Sequence, residues 1–259
     1  MIQRSTLRAQ IAAALREDIV AARLPAGRQF TVKEIAEQYG VSATPVREAL
    51  VDLSAQGLLD MEQHRGFRVH EFGLADYRAM VEARALIVEG VFRQAMRVTG
   101  PGQAPGQVAR QVAEQVPEAT QDLIHEAVSA THDAEVVAGV VRRGSAAERA
   151  ALKGELDVLI GCDLRFWREL GSTLANPYLS EFLDRIRVQC WAYVVPHLRQ
   201  RPDLSGQLWS GHRELAEAIR DQDVPAARRL VADYNAHSLA LGDTVSEASG
   251  SGTDPHRYG

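Results

Sequence analysis

Asp163, His212 and Glu214 are the side chains of this 259-residue chain whose types suit acid–base or metal-assisted hydrolysis if the fold gathers them. No motif around them supports turnover, because GxSxG, HExxH, the phosphate loop and the dinucleotide fingerprint are all absent. The two cysteines, Cys162 and Cys190, form neither a CxxC pair nor a disulfide framework, which fits a reducing cytoplasm. A second group is built for contact rather than turnover. Ser42, Thr44 and Arg47 lie within six residues, Lys33 precedes them, and His64, Arg65 and Gly66 follow at a polar turn. Hydroxyls and guanidiniums at a helix start suit phosphate oxygens and base edges. The alternative for Arg47 is an ion pair with Glu48 or Asp52 on a solvated helix face.

The elements that must carry these residues can be read from periodicity. Leu7, Ile11, Leu15 and Ile19 form a stripe four residues apart on a helix over 7–22, which the Pro25-Ala26-Gly27 turn stops. Thr31 and Glu34 have the spacing of a capping box, and the helix they open ends at Gly40. Ser42 is placed as the next N-cap, ahead of a helix with Val46, Leu50 and Leu53 inward and Gly57 as its stop. Two short helices joined across Gly40-Val41-Ser42 form a helix-turn-helix. Leu58–Glu62 and Phe67–His70, separated by Gln63-His64-Arg65-Gly66, alternate as a β-hairpin wing, and Phe72-Gly73-Leu74 is the linker.

Beyond residue 75 the pattern is helical. One helix is expected over 75–98, broken by GPGQAPG at 100–106, then two or three over 107–141, with Pro117 as a first helical residue. A long helix is expected over 145–172, and another from Asn176-Pro177, with Asn as N-cap and Pro at the first position. Further helices are expected over 204–220 and from Asp223-Val224-Pro225 to about Leu241, followed by a small-residue tail taken as disordered.

Composition narrows the class without choosing a partner. At 46% hydrophobic, 24% charged and 6% aromatic residues, the chain is that of an ordinary helix-rich globular protein. No stretch approaches the roughly 18 apolar residues a membrane span needs, and the N-terminus lacks the pattern of a secretory signal. The net charge is −5, yet residues 1–72 carry nine basic and nine acidic side chains, so the acidity lies in the remainder.

The stretch Gly40-Val-Ser-Ala-Thr-Pro-Val-Arg-Glu-Ala-Leu50, with the helix before it and the Gly66 wing after it, resembles the recognition motif of the GntR family over residues 7–70. The later half resembles the all-helical ligand-binding domain of the FadR-like subgroup, through Arg84 to Glu89, Asp163 before Phe166, Asn176-Pro177, Gly211-His212 and Asp223 to Ala227. Residues 100–150 are longer than that subgroup's usual pattern.

The resemblance implies a homodimeric regulator, most simply a repressor, that binds a palindromic double-stranded DNA operator and responds to a small-molecule effector such as an organic acid or acyl thioester. DNA contacts are then expected from Lys33, Ser42, Thr44, Arg47, His64, Arg65 and Gly66, with Gly66 allowing close approach. Ala43 departs from the family, which carries Arg there. The resemblance also implies a divalent metal (zinc, nickel or manganese) held by one Asp and three His. Asp163 and His212 match two of those positions, but Trp167 and Tyr234 stand at the other two. His237 lies three residues past Tyr234 as a partial substitute, or as a plain helix histidine. Without metal, Arg84, Asp163, Trp167, His212 and Tyr234 are expected to line an organic-ligand site, with Trp167 as plain core the alternative. Arg84 is expected to face an anionic ligand group or a protein carboxylate, Glu89 or Asp163.

The fold expected is mainly α: a winged helix-turn-helix over 1–72, an antiparallel helical effector-binding and dimerisation bundle over 73–243, and a tail over 244–259. Two other classes remain open. One is a metal-dependent hydrolase with an appended DNA-binding head, and the other is an architectural DNA-binding protein indifferent to ligands.

Overall fold

Gly40, Gly57 and Gly154 set where three helices stop. Each has a positive φ, at 65°, 73° and 69°, the left-handed conformation that lets the following N–H reach back to an earlier carbonyl. At Gly154 that closure is Glu155 N–H to the Ala150 carbonyl at 2.9 Å. In a computed structural model the described residues are 6–63, 65–98, 134–172 and 176–250. Their helices are α1 (Leu7–Val20), α2 (Val32–Tyr39), α3 (Ala43–Ala55), α4 (Leu74–Val98), α5 (Ala134–Lys153), α6 (Leu156–Ser172), α7 (Pro177–Leu198), α8 (His212–Arg220) and α9 (Val224–Gly250). The strands are β1 (Gln29–Phe30), β2 (Leu59–Glu62) and β3 (Gly66–Val69).

Two compact units divide the chain. One comprises Met1–Tyr77, Val188–Arg201 and Val245–Gly259; the other comprises Arg78–Arg187 and Pro202–Thr244. The later turns of α7 fall within the first unit. There Arg199 Nε donates to the Ala21 carbonyl at 2.9 Å and Gln189 Nε2 to the Gln56 carbonyl at 2.8 Å.

In the first unit Ile11, Leu15 and Ile19 of α1 and Val46, Leu50 and Leu53 of α3 are buried as their spacing predicts, whereas Leu7 is 46% exposed. The wing is a three-stranded antiparallel sheet in the order β1-β3-β2. Leu59 pairs with Val69 and Met61 with Phe67, while Phe30 of β1 pairs with Phe67 from the other side. The hairpin was legible; the added strand was not. Two residues carry no period, and β1 exists only because β3 offers it an edge.

In the second unit Phe166, Trp167, Leu215, Val231 and Tyr234 build the core. Three expectations change here. The long helix expected over 145–172 is two helices, α5 beginning at Ala134 and α6 at Leu156, parted at Gly154. A Cβ there would meet Ser205 N at 2.7 Å, so a bare backbone is needed at that crossing. The helix expected over 204–220 begins only at His212. The last helix runs past Leu241 to Gly250, into the stretch taken as a disordered tail. In addition, α7 passes through Pro196 to Leu198. Of the helices expected over 107–141, only residues 134–141 are described, as the start of α5, while Pro117 and the 100–106 break lie outside the described residues. Among the described residues no helix is long and apolar enough to cross a membrane.

Candidate functional site

Two separate groups of residues stand out, one in each unit. In the first, the turn between α2 and α3 is fixed by local chemistry. Thr31 Oγ1 accepts from Glu34 N–H at 3.2 Å and Glu34 Oε2 accepts from Thr31 N–H at 2.6 Å, the reciprocal capping box. Ser42 holds the N-cap position of α3 but makes no side-chain capping bond, contrary to expectation. Its hydroxyl, with that of Thr44, stays exposed beside the unsatisfied N–H groups of the first turn.

Arg47 lies on the same exposed face, while Val46 and Leu50 beside it are fully buried. Neither acid considered as its partner holds it. Asp52 is taken by Arg8, whose Nε donates to Asp52 Oδ2 at 2.6 Å. An open concavity of about 430 Å³ runs between α2 and α3, lined among others by Lys33, Glu37, Gly40, Ala43 and Arg47. Lys33 and Glu37 are 3.7 Å apart with side chains 84% and 67% exposed, a screened pair that leaves the ammonium free to swing toward a phosphate.

Arg65 is exposed at the wing turn, and His64 lies outside the described residues. Gly66 is also constrained within the fold. At φ 98° a Cβ would stand 2.5 Å from the Phe30 carbonyl oxygen, so glycine is required by the approach of β1.

The second group is buried in the helical unit. Asp163 and Trp167 sit one turn apart on α6. Asp163 Oδ1 accepts from Trp167 Nε1 at 2.9 Å and faces His212 Nε2, the first residue of α8, at 2.8 Å. His212 Nδ1, on the other side of the ring, is buried with no hydrogen-bond partner among the described residues. Glu214, two residues on, is exposed and does not join them.

Arg84 of α4 is 2% exposed. Its guanidinium donates to Asn235 Oδ1 at 2.9 Å, Ser238 Oγ at 3.0 Å and Tyr234 Oη at 3.4 Å, all on α9. Neutral acceptors thus stand where Glu89 was one expected partner. Glu89 is held instead by Arg228 and Arg93, whose hydrogen bonds, Arg228 first, keep its carboxyl below the usual range.

Four participants were missed in the sequence: Arg187, Trp209, Asn235 and Ser238. Arg187 of α7 is 4% exposed, its Cζ lies 4.0 Å from the Trp167 ring centroid, and its guanidinium hydrogen-bonds Tyr234 while its Nε has no partner among the described residues. Burial pushes its pKa down and the nearby Arg84 adds to that, while Tyr234 and Asp163 oppose them. Its signal was present, since it interrupts the buried face formed by Leu183, Ile186, Cys190 and Val194. Trp209 packs edge-on against His212 and Tyr234 at centroid distances of 4.7 and 4.9 Å.

The residues present do not fit a divalent metal. Trp167 offers a hydrogen where a ligand needs a lone pair, and His212 Nε2 faces Asp163. Among the described residues no group of three or more His, Cys, Asp or Glu side chains could hold an ion, so His237 does not complete the set.

Comparison with known proteins gives matches to both halves. Residues 7–69 match the family described as bacterial regulatory proteins, gntR family, and residues 106–237 match the FCD domain. Over 90 residues the chain is 38% identical to a probable D-xylose utilization operon transcriptional repressor of Paenarthrobacter nicotinovorans, covering 35% of this chain and 39% of that protein. Over 86 residues it is 35% identical to the HTH-type transcriptional repressor RspR of Escherichia coli (strain K12), covering 33% and 38%. The alignment thus spans about two fifths of these curated relatives. Among solved structures, E. coli McbR/YncC aligns over 93% of this chain and 99% of its own with a TM-score of 0.68 at 19% identity. A GntR regulator of Rhodococcus sp. RHA1, described as putative, aligns over 95% and 99% with a TM-score of 0.59 at 19% identity. These likenesses establish a shared fold.

Proposed function

The chain belongs to the GntR family of bacterial regulatory proteins and carries its FCD domain, and from that premise we propose that it is a ligand-controlled transcription regulator. The first turn of α3 enters the major groove of a palindromic operator, and two copies of the chain read the two half-sites. Arg47 contacts a base edge or phosphate, Ser42, Thr44 and Lys33 hold the backbone, and Arg65 with His64 reaches from the wing. A small organic acid or acyl thioester bound in the helical unit changes operator affinity by favouring one of two conformations. Repression is the mode favoured by the names of the two relatives above.

The observation that carries this reading is the exposed guanidinium of Arg47, which has no partner among the described residues and lies beside two hydroxyls at a helix N-terminus. The test is fluorescence anisotropy with duplex DNA from the region preceding the chain's own gene, at physiological salt. Arg47→Ala is expected to weaken binding by about 1–3 kcal/mol, roughly 5- to 150-fold. Unchanged affinity in a folded variant sinks the assignment. The architectural alternative predicts operator binding that no small molecule alters. The hydrolase alternative would need Glu214, which is exposed, to act with Asp163 and His212, which are buried.

A further inference from the structure

We propose that the later turns of α7 complete the DNA-reading unit, and that Gln189 is the positioning residue through which they hold the recognition helix α3. This rests on the regulator reading above and concerns how the reading helix is aimed rather than what it touches.

Three observations carry it. The first is the bond itself. Gln56 is the C-cap of α3, so its carbonyl is one of those that a helix end leaves without an intrahelical partner. Gln189, 133 residues further along the chain, supplies the donor, Nε2 to that carbonyl at 2.8 Å, from a half-buried position. The fit is close, because a Cβ on Gly57, the next residue, would stand 2.8 Å from the same nitrogen.

The second is that α1 ends in the same way. Arg199, just past α7, donates from Nε to the carbonyl of Ala21, the C-cap of α1, at 2.9 Å. The two capped helices are also tied to each other. Arg16 of α1 donates to the Gln56 side-chain oxygen at 2.5 Å, and Arg8 of α1 holds Asp52 of α3.

The third is that this part of α7 is built into the unit. Residues 188–201 belong to the same compact body as α1 and α3. Val195 and Leu198 are fully buried, and Tyr193 stacks on Tyr77 at a centroid distance of 4.8 Å.

The consequence follows from the stiffness of a helix. α3 has 13 residues, so it is about 20 Å long at 1.5 Å per residue. Ser42, Thr44 and Arg47 lie at one end and the Gln189 bond at the other. A tilt of a few degrees at the held end moves the reading end by about 1 Å, more than the roughly 0.5 Å that a well-placed binding group tolerates. An amide suits the post because it brings a donor without a charge, whereas a carboxylate at 189 would set acceptor against acceptor.

The experiment is fluorescence anisotropy of the full chain on duplex DNA from the region preceding its own gene, across a salt series. Wild type is compared with Gln189→Met, which keeps the length and removes the donor, Gln189→Glu, which turns it into an acceptor, and Gln189→Lys, which restores a donor. The Met variant is expected to bind about two- to tenfold more weakly, the worth of one hydrogen bond. The Glu variant should bind more weakly still and the Lys variant should regain part of the loss. The log–log salt slope should not change, since no phosphate contact is removed. Wild-type affinity in the Met and Glu variants overturns the proposal. So does a slope shallower by about 0.9, which would make Gln189 a direct phosphate contact, or a Lys variant no better than the Met one. If circular dichroism shows the Met variant unfolded, the Glu variant set against the Lys variant decides in the same way.

Amide exchange of the DNA-free protein is the second readout. The Met variant is expected to lose protection at the N–H groups of Gly57 and Leu58, which close α3 on the carbonyls of Ser54 and Leu53, while α2 keeps its own. Equal exchange in the two proteins overturns the role of Gln189. A wild type that ignores DNA overturns the regulator reading alone, and exchange then decides by itself whether Gln189 holds α3.

Discussion

Trp167 donates its indole hydrogen to Asp163 one helical turn behind it, at 2.9 Å, on the same carboxylate oxygen that faces His212. A turn of helix is the spacing at which two side chains can share one partner. With a lone pair at position 167 that partner would be a cation; with an N–H it is the carboxylate itself. The identity of one residue therefore changes the chemistry of the whole centre.

Trp167→His follows from this geometry. The variant brings a third ligand beside Asp163 and His212, the minimum set for a firmly held zinc ion. After incubation with zinc and desalting, elemental analysis is expected to find zinc in the variant and not in the wild type. Truncating a buried tryptophan leaves a cavity, so the metal-free variant should melt lower and zinc should raise its Tm. Equal zinc in the two proteins counts against this account of the site.

Ala43→Arg restores a side chain that the family resemblance places at the start of α3. Ala43 is exposed and lines the concavity with Arg47. One added phosphate contact is expected to tighten operator binding and steepen the salt dependence by about 0.9 in the log–log slope. Anisotropy titrations across a salt series measure both.

Gly66→Ala combines two penalties. Its φ of 98° is unfavourable for any side chain, and the new Cβ would lie 2.5 Å from a backbone oxygen of Phe30. A loss of at least about 2 kcal/mol is expected, read as a lower urea midpoint. The damage belongs to the pairing of β1 with β3, so the wing should lose hydrogen-exchange protection first.

Acid should weaken the fold through two histidines. Burial holds the imidazoles of His197 and His237 below the ordinary value, and Asp233 offsets part of this at His237. A histidine with a depressed folded pKa takes up its proton more readily when unfolded. Its contribution is therefore fully present above about pH 6.5 and is lost as pH falls through the folded value. Urea midpoints at pH 7.5 and 5.5 should differ in that sense, and His237→Gln with His197→Gln should flatten the difference.

What the sequence determined by itself was local. Thr31 and Glu34 cap α2, and Asn176 Oδ1 accepts from Tyr178 N–H at 3.1 Å at the start of α7. Both rest on groups within three residues of each other. The stripes through Ile11, Leu15 and Ile19, and through Val46, Leu50 and Leu53, needed only the helical period. The recognition turn was legible for the same reason, since Gly40, Ser42 and Arg47 follow one another in the chain. Tertiary structure decided everything that depends on a distant partner. β1 is a strand because β3 lies beside it, and Gly154 breaks a helix-forming stretch where residues 204–205 cross. Arg187 interrupts an apolar stripe that the sequence shows, but only packing lays it on the face of Trp167 and brings Arg84 and Tyr234 near. Spacing along one helix fixes which side a residue faces, but only packing between helices fixes what it meets there, and for a buried charge that partner is the chemistry.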